Sequence, residues 1–162
     1  DLLDKLKSIK VDFLLSFLEL QDNEMFISQQ LYDSQLTLVA HPSNLIASKK
    51  SISIKDLKEI PLVLPAKGFH TRHFLNEALA KNNILPNVKM ELNDINTLLQ
   101  LVETGKWCTI MTVAAVKGKQ SLKTIPIKGL NIISQASITW PKDSYRKKAA
   151  LVFTDMIKKQ MK

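Results

Sequence analysis

The sequence predicts an α/β protein of two lobes, with the chain crossing between them twice. Three observations lead there. Strand-like and helix-like segments alternate along the 162 residues, the pattern of a largely parallel sheet covered by helices. Residues 61–127 hold a complete β-α-β-α-β run. The flanking stretches, 1–38 and 131–162, are each too short to bury a sheet alone but can do so together. That assigns 1–38 with 131–162 to a discontinuous first lobe and 39–130 to a second, with crossings near 38–47 and 127–133.

The elements follow in order. Leu2, Leu3, Leu6 and Ile9 recur at the spacing of one helical face. Val11–Leu15 reads as a buried strand and 21–28 as a polar loop. Ile27–Tyr32 and Gln35–Ala40 read as two strands, the second alternating Leu36, Leu38 and Ala40. Pro42-Ser43-Asn44 breaks the pattern, and Ile54–Leu57 suits one helical turn. Leu62–Leu64 is a short strand between Pro61 and Pro65. After the turn Ala66-Lys67-Gly68, Phe69–Lys81 reads as a helix with Phe74, Leu75, Ala78 and Leu79 inward. Val88–Leu92 is a strand, and Asn93 or Asp94 can cap the next helix. That helix carries Ile95, Leu98, Leu99 and Val102 on one stripe and stops at Gly105. Trp107–Thr112, Lys123–Ile127 and Ser137–Trp140 are further strands. Pro141 and Asp143 open a last helix with Tyr145, Ala149, Val152, Met156 and Ile157 on one side.

Composition narrows the classes of function. A 45% hydrophobic content suits a globular core, and no apolar run approaches the roughly 18 residues that span a bilayer. The chain starts within a helical pattern and without Met, so an upstream part is expected. The single cysteine, Cys108, allows no internal disulfide, suits the cytosol, and reads as a small core residue within an apolar run. The net charge of +8 invites a nucleic-acid reading, but residues 142–162 carry seven basic and two acidic residues and account for most of it. That excess reads as a solvated helix face, since aromatics are not interleaved with the basic residues.

The most informative local feature is Pro65-Ala66-Lys67-Gly68-Phe69-His70-Thr71-Arg72, which joins a strand end to a helix start. A helix start leaves N–H groups unpaired and carries partial positive charge, so anions bind there readily. Ligands of open α/β sheets sit beyond the carboxyl ends of strands. Gly68 lets backbone approach a ligand, Thr71 can cap the helix or donate its hydroxyl, and His70 and Arg72 add donors. The alternative, that Thr71 only caps and Arg72 is solvated, stands beside it. Catalytic machinery is thin. His41, His70 and His73 lack a zinc spacing, and no GxSxG elbow or phosphate-cradling GxxxxGK loop exists in a chain with four glycines. Asp12 could act as an acid but reads as structural. Trp107 and Trp140 read as core or the wall of a cleft.

Several of these residues, in this order, resemble the effector-binding domain of LysR-type transcriptional regulators. Leu6 and Asp12 precede the apolar Phe13-Leu14-Leu15 as in that family. Val39-Ala40-His41-Pro42-Ser43-Asn44-Leu45-Ile46-Ala47 stands at its Pro-x-His-Pro-Leu-Ala turn, with Asn44-Leu45 where His-Pro is usual. Ser53-Ile54-Lys55-Asp56-Leu57 matches the next turn, and Pro86, Val88, Glu91, Asp94, Val102 and Gly105 match a longer spaced motif. Trp107 departs from the family's second glycine, and Thr112 stands near its proline.

The resemblance implies a periplasmic-binding-protein-like (type 2) fold whose first lobe lacks its N-terminal elements here. It implies a small-molecule effector held in an interlobe cleft, no cofactor, and lobe closure relayed to an upstream helix-turn-helix domain. The chain alone is then not expected to bind an operator. It also implies a cytoplasmic homodimer or homotetramer. The matching positions place Ala66, Gly68, Phe69, His70 and Thr71 at the effector, completed by Ser16, Phe17, Thr112 and Val113. An extracytoplasmic solute-binding protein of a transporter is the competing reading. An enzyme on the same architecture is a third, disfavoured because no acid–base or nucleophile set converges.

Overall fold

The computed structural model describes residues 2–17, 25–130, 132–142 and 144–161. It divides the chain into two compact units, residues 1–33 with 135–162, and residues 34–134.

The first unit holds helix α1 (Leu2–Lys7), strand β1 (Leu14–Ser16), the start of β2 (Phe26–Ala40), most of β8 (Ile133–Pro141) and helix α4 (Lys148–Met161). β1 runs antiparallel to β8, pairing Leu14 with Thr139 and Ser16 with Ser137, and β8 lies beside β2. Leu6, Leu14 and Phe26 form one apolar cluster, and Ile138, Trp140 and Ala150 another. The Trp140 ring is covered by Phe13, at 5.0 Å between centroids, and by the Arg146 guanidinium at 5.2 Å. Trp140 is therefore core. Asp12 makes an ion pair with Lys147 Nζ at 2.9 Å, a structural role.

The second unit is built on a mixed sheet. The end of β2 lies between antiparallel β7 (Lys123–Lys128) and antiparallel β6 (Thr109–Thr112). β7 pairs in parallel with the short β3 (Ile52–Ser53). β4 (Leu62–Pro65) and β5 (Val88–Leu92) are parallel, and a parallel bridge from Leu62 to Cys108 joins β4 to the start of β6. Alternation along these strands sends side chains to two faces. Leu36, Leu38, Leu62, Leu64 and Ile110 meet Leu75 and Leu79 of helix α2 (His70–Lys81) in one cluster. Val39, Val63 and Met111 meet Leu98, Leu99 and Val102 of helix α3 (Ile95–Glu103) in the other. Each such fully buried aliphatic side chain stabilises the fold by about 1.5–3 kcal/mol. Cys108 is fully buried in the first cluster and so is core, and that burial pushes its thiol up to about 11.

Several expectations are corrected, among them the largely parallel sheet, since β2 lies antiparallel to both β6 and β7. The two strands read at 27–32 and 35–40 are one strand of 15 residues. Asp33 and Ser34, which looked like a break, are satisfied in place: Gln30 Nε2 donates to Asp33 Oδ1 at 2.7 Å, and the Ala114 N–H to Ser34 Oγ at 3.0 Å. The loop expected at 21–28 ends before Phe26, which already pairs in β2; its residues 21–24 lie outside the described residues. The strand expected at Val11–Leu15 spans Leu14–Ser16 instead. The last helix begins at Lys148, not at Pro141, which closes β8. Ser144 Oγ donates to the Pro141 carbonyl at 3.3 Å, and Tyr145 is 86% exposed; Asp143 lies outside the described residues. α4 buries Ala150 and Thr154, whereas Ala149, Val152 and Met156 of the expected face are exposed. Thr154 carries no hydrophobic signal, so the periodicity pointed to the wrong side.

Candidate functional site

The parallel register that pairs Leu62 with Cys108 carries β4 and β6 to the same edge of the sheet, so their carboxyl ends are neighbours. From that edge two connections leave. β4 runs into the turn Ala66–Phe69 and then α2; β6 runs into a single 3-10 turn at Val113–Val116.

The turn is pinned at both ends. The Ala66 N–H donates to the Leu92 carbonyl at 2.9 Å, and the Phe69 N–H to the Ala66 carbonyl at 3.1 Å. Phe69, not Thr71, occupies the cap position of α2, in extended conformation and without a side-chain hydrogen bond. The Phe69 carbonyl accepts from Arg72 and His73 N–H groups, which leaves the His70 and Thr71 N–H groups without an intrahelical acceptor. The His70 ring lies edge-on to Phe74 at 4.4 Å. Its Nε2 is buried with no hydrogen-bond partner among the described residues. A buried ring nitrogen left unpaired costs free energy, and this one belongs to the first residue of α2, whose own N–H has no intrahelical acceptor. Lys67 and Gly68 are exposed on the turn, and a methyl built on Gly68 meets nothing within 4 Å.

Arg72 fits neither expectation made of it. It is 5% exposed and so is not solvated, and its donors are spent inside the protein. Nη1 donates to the Pro65 carbonyl at 2.9 Å, Nη2 to Glu91 Oε1 at 2.6 Å, and Nε to Asn76 Oδ1 at 2.8 Å. Charge at the helix start therefore comes from the backbone and Lys67 rather than from Arg72.

Ala66, Gly68, Phe69, His70 and Thr71 thus share one turn, and Thr112 and Val113 lie at the neighbouring strand end. Thr112 is buried and Val113 half-exposed. Sequence reasoning missed Ser34, whose hydroxyl holds the first turn after β6 through the Ala114 N–H. Its only signal was a buried polar residue opposite that turn in the antiparallel register, which a reading with a break at 33–34 hides. Ser16 and Phe17 belong to the first unit. They line a small, mainly apolar cavity of about 210 Å³ with Leu15, Leu31, Tyr32, Ala136, Ser137 and Ile157. There Phe17 meets Tyr32 edge-on at 6.4 Å, and burial raises the Tyr32 hydroxyl above its usual pKa. Trp107 packs against the α3 cluster with Lys106 Nζ 5.0 Å over its ring, which is how the sheet edge accommodates a tryptophan there. Among the described residues no group of three or more His, Cys, Asp or Glu could hold a metal ion, and no helix is long and apolar enough to cross a membrane.

Parallel strand ends with a helix start beside them are where ligands sit in proteins of the α/β class. The chain belongs to the LysR substrate binding domain family, whose model matches residues 1–162. It is 26% identical over 137 residues to the "Probable RuBisCO transcriptional regulator" of Phaeodactylum tricornutum, covering 81% of this chain and 45% of that protein. It is 27% identical over 132 residues to the HTH-type transcriptional regulator BsdA of Bacillus subtilis, covering 79% and 46%. The chain thus spans about half the length of these curated relatives.

Among solved structures it resembles the CcmR regulatory domain of Synechocystis PCC6803 in complex with 2-PG. The TM-score is 0.77 at 16% identity, over 99% of this chain and 78% of that one. It also resembles the effector binding domain of QuiR in complex with shikimate, with a TM-score of 0.74 at 18% identity over 98% and 76%. At such identities the likeness is one of fold, and the two-lobed α/β fold expected from the sequence is the one these domains share.

Proposed function

We propose that this chain is the effector-binding domain of a LysR-type transcriptional regulator and takes a small anionic metabolite at the Ala66–Thr71 turn. The observation that carries this reading is the open tip of α2, whose first residue, His70, carries a buried and unpartnered Nε2. Thr112 and Val113 flank the ligand from the next strand end. Residues 1–38 with 131–162 act as the first effector lobe, to which Ser16 and Phe17 contribute, and 39–130 as the second, a division that the compact units 1–33 with 135–162 and 34–134 support. The domain is cytoplasmic, works without a cofactor and is not an enzyme. It acts in a homodimer or homotetramer and reaches DNA only through an upstream helix-turn-helix domain. The regulator relatives favour this over a transporter's solute-binding protein.

The effector acts by binding one regulator state more tightly than the other, a coupling of about 1–3 kcal/mol. Calorimetric titration with inorganic phosphate, 2-PG and shikimate tests the site. Thr71→Ala is expected to weaken the bound anion about tenfold, the loss of one hydrogen bond to a charged group, with the melting temperature unchanged. Equal affinity in the variant removes Thr71 from the site, and no heat with any anion removes the anionic ligand.

A further inference from the structure

We propose that Arg72 and Glu91 are positioning residues that aim the α2 tip at its ligand without touching it. The inference rests on the anion reading of the Ala66–Thr71 turn and names what holds that turn in place.

Three elements meet at one guanidinium. Pro65 is the last residue of β4, Glu91 lies in β5 opposite Leu64, and Asn76 is one turn further along α2. Arg72 bonds all three at 2.6–2.9 Å while lying in the first turn of α2 itself. A planar fork with fixed donor directions sets an angle between helix and strands, which an ammonium on a flexible stem does not. The Pro65 carbonyl is the last acceptor before the turn. Bonded to Arg72, its partial negative charge is engaged below the turn rather than offered to an incoming anion. Glu91 compensates the buried positive charge. The pair therefore adds little net field at the tip, and its contribution is geometry.

Geometry and charge predict opposite signs, which makes the pair testable. Arg72→Lys keeps the charge and loses the fork. Glu91→Gln adds one positive charge beside the turn and loosens the clamp. Inorganic phosphate is titrated against the whole chain, following the amide resonances of Gly68, His70 and Thr71. Positioning predicts binding weakened tenfold or more in Arg72→Lys. It also predicts weaker binding in Glu91→Gln, despite the added charge. In both, hydrogen exchange at the Ala66 and Phe69 amides quickens at least tenfold, and that of Leu98 and Leu99 in α3 stays as in the parent.

Unchanged affinity in Arg72→Lys, or tighter binding in Glu91→Gln, overturns the inference in favour of plain electrostatics. Should Arg72→Lys fail to fold, Glu91→Gln decides alone, since the Glu91 side chain is 37% exposed and glutamine keeps an oxygen that can accept from Arg72. Should the parent itself show no phosphate response, the anion reading fails. The clamp is then judged by exchange, and unchanged rates at Ala66 and Phe69 sink it.

Discussion

Two helices of the second unit start alike, each a few residues past the end of a parallel strand, and their first turns are finished differently. At α3, Asp94 Oδ1 accepts from both the N–H and the hydroxyl of Thr97, each at 2.7 Å. At α2, the cap residue is Phe69, whose side chain has no oxygen to offer. A carboxylate therefore already sits on the α3 tip, supplied by the chain. The equivalent place on α2 is vacant of any capping side chain and lies at the sheet edge shared by β4 and β6. The same local design serves as structure where the anion is internal and, on the function proposed above, as a binding place where it is not. If so, changes around α3 should appear in stability, and changes around the α2 tip in binding.

The largest effect is expected in the α3 core. Leu98 is fully buried in the cluster with Val39, Val63 and Met111. Leu98→Ala should cost about 2–5 kcal/mol in urea unfolding. A loss well under that range means the cluster collapses to fill the gap. Next comes the end of the same helix. Gly105 has φ +81°, and a methyl there runs into Ser43 Oγ. Gly105→Ala should cost about 1–2 kcal/mol from the left-handed backbone alone, with more from the contact. Measured phosphate affinity of the folded fraction should be unaffected in both.

Asp94→Ala removes the internal anion. It is expected to lower the melting temperature by roughly 2–4 °C near neutral pH. Hydrogen bonds from the Thr97 backbone, then from its hydroxyl, hold the Asp94 carboxyl below its ordinary range. A depressed folded pKa stabilises the protein above the unfolded value of about 4 and loses that contribution as pH falls through the folded one. The gap between parent and variant should therefore close as the solution is acidified below about pH 4. A gap that persists in acid means the cap acts through packing and not through its charge.

What was legible in the sequence follows the same division. β5 and the α3 stripe were readable to the residue, because apolar periodicity, an acidic cap and a glycine stop all agree there. α4 misled because its buried positions include Thr154, while Val152 and Met156 face outward. β2 was split because polar residues at 33 and 34 resemble a turn unless their partners across the sheet are known. The turn at 66–71 was found from the glycine and the strand-to-helix transition. Two of the roles read inside it are corrected: Thr71 does not cap, and Arg72 is not solvated but spends its donors within the protein. Both depend on the direction a side chain takes, and Glu91, which fixes the direction of Arg72, lies nineteen residues away.

The smallest effect on stability, and the sharpest on the comparison, belongs to Gly68. Unlike Gly105, it has no left-handed backbone to defend, and a methyl would point into open space. By the rules of the folded chain alone, Gly68→Ala should be neutral or stabilise by about 0.5 kcal/mol, since alanine has fewer unfolded conformations to lose. An anion drawn to the Thr71 and His70 N–H groups needs that same space. Binding of phosphate or 2-PG should then weaken several-fold while thermal stability holds or rises. A variant equal to the parent in both respects would show that the turn's openness is only exposed loop, and the contrast between the two helix tips would lose its functional half.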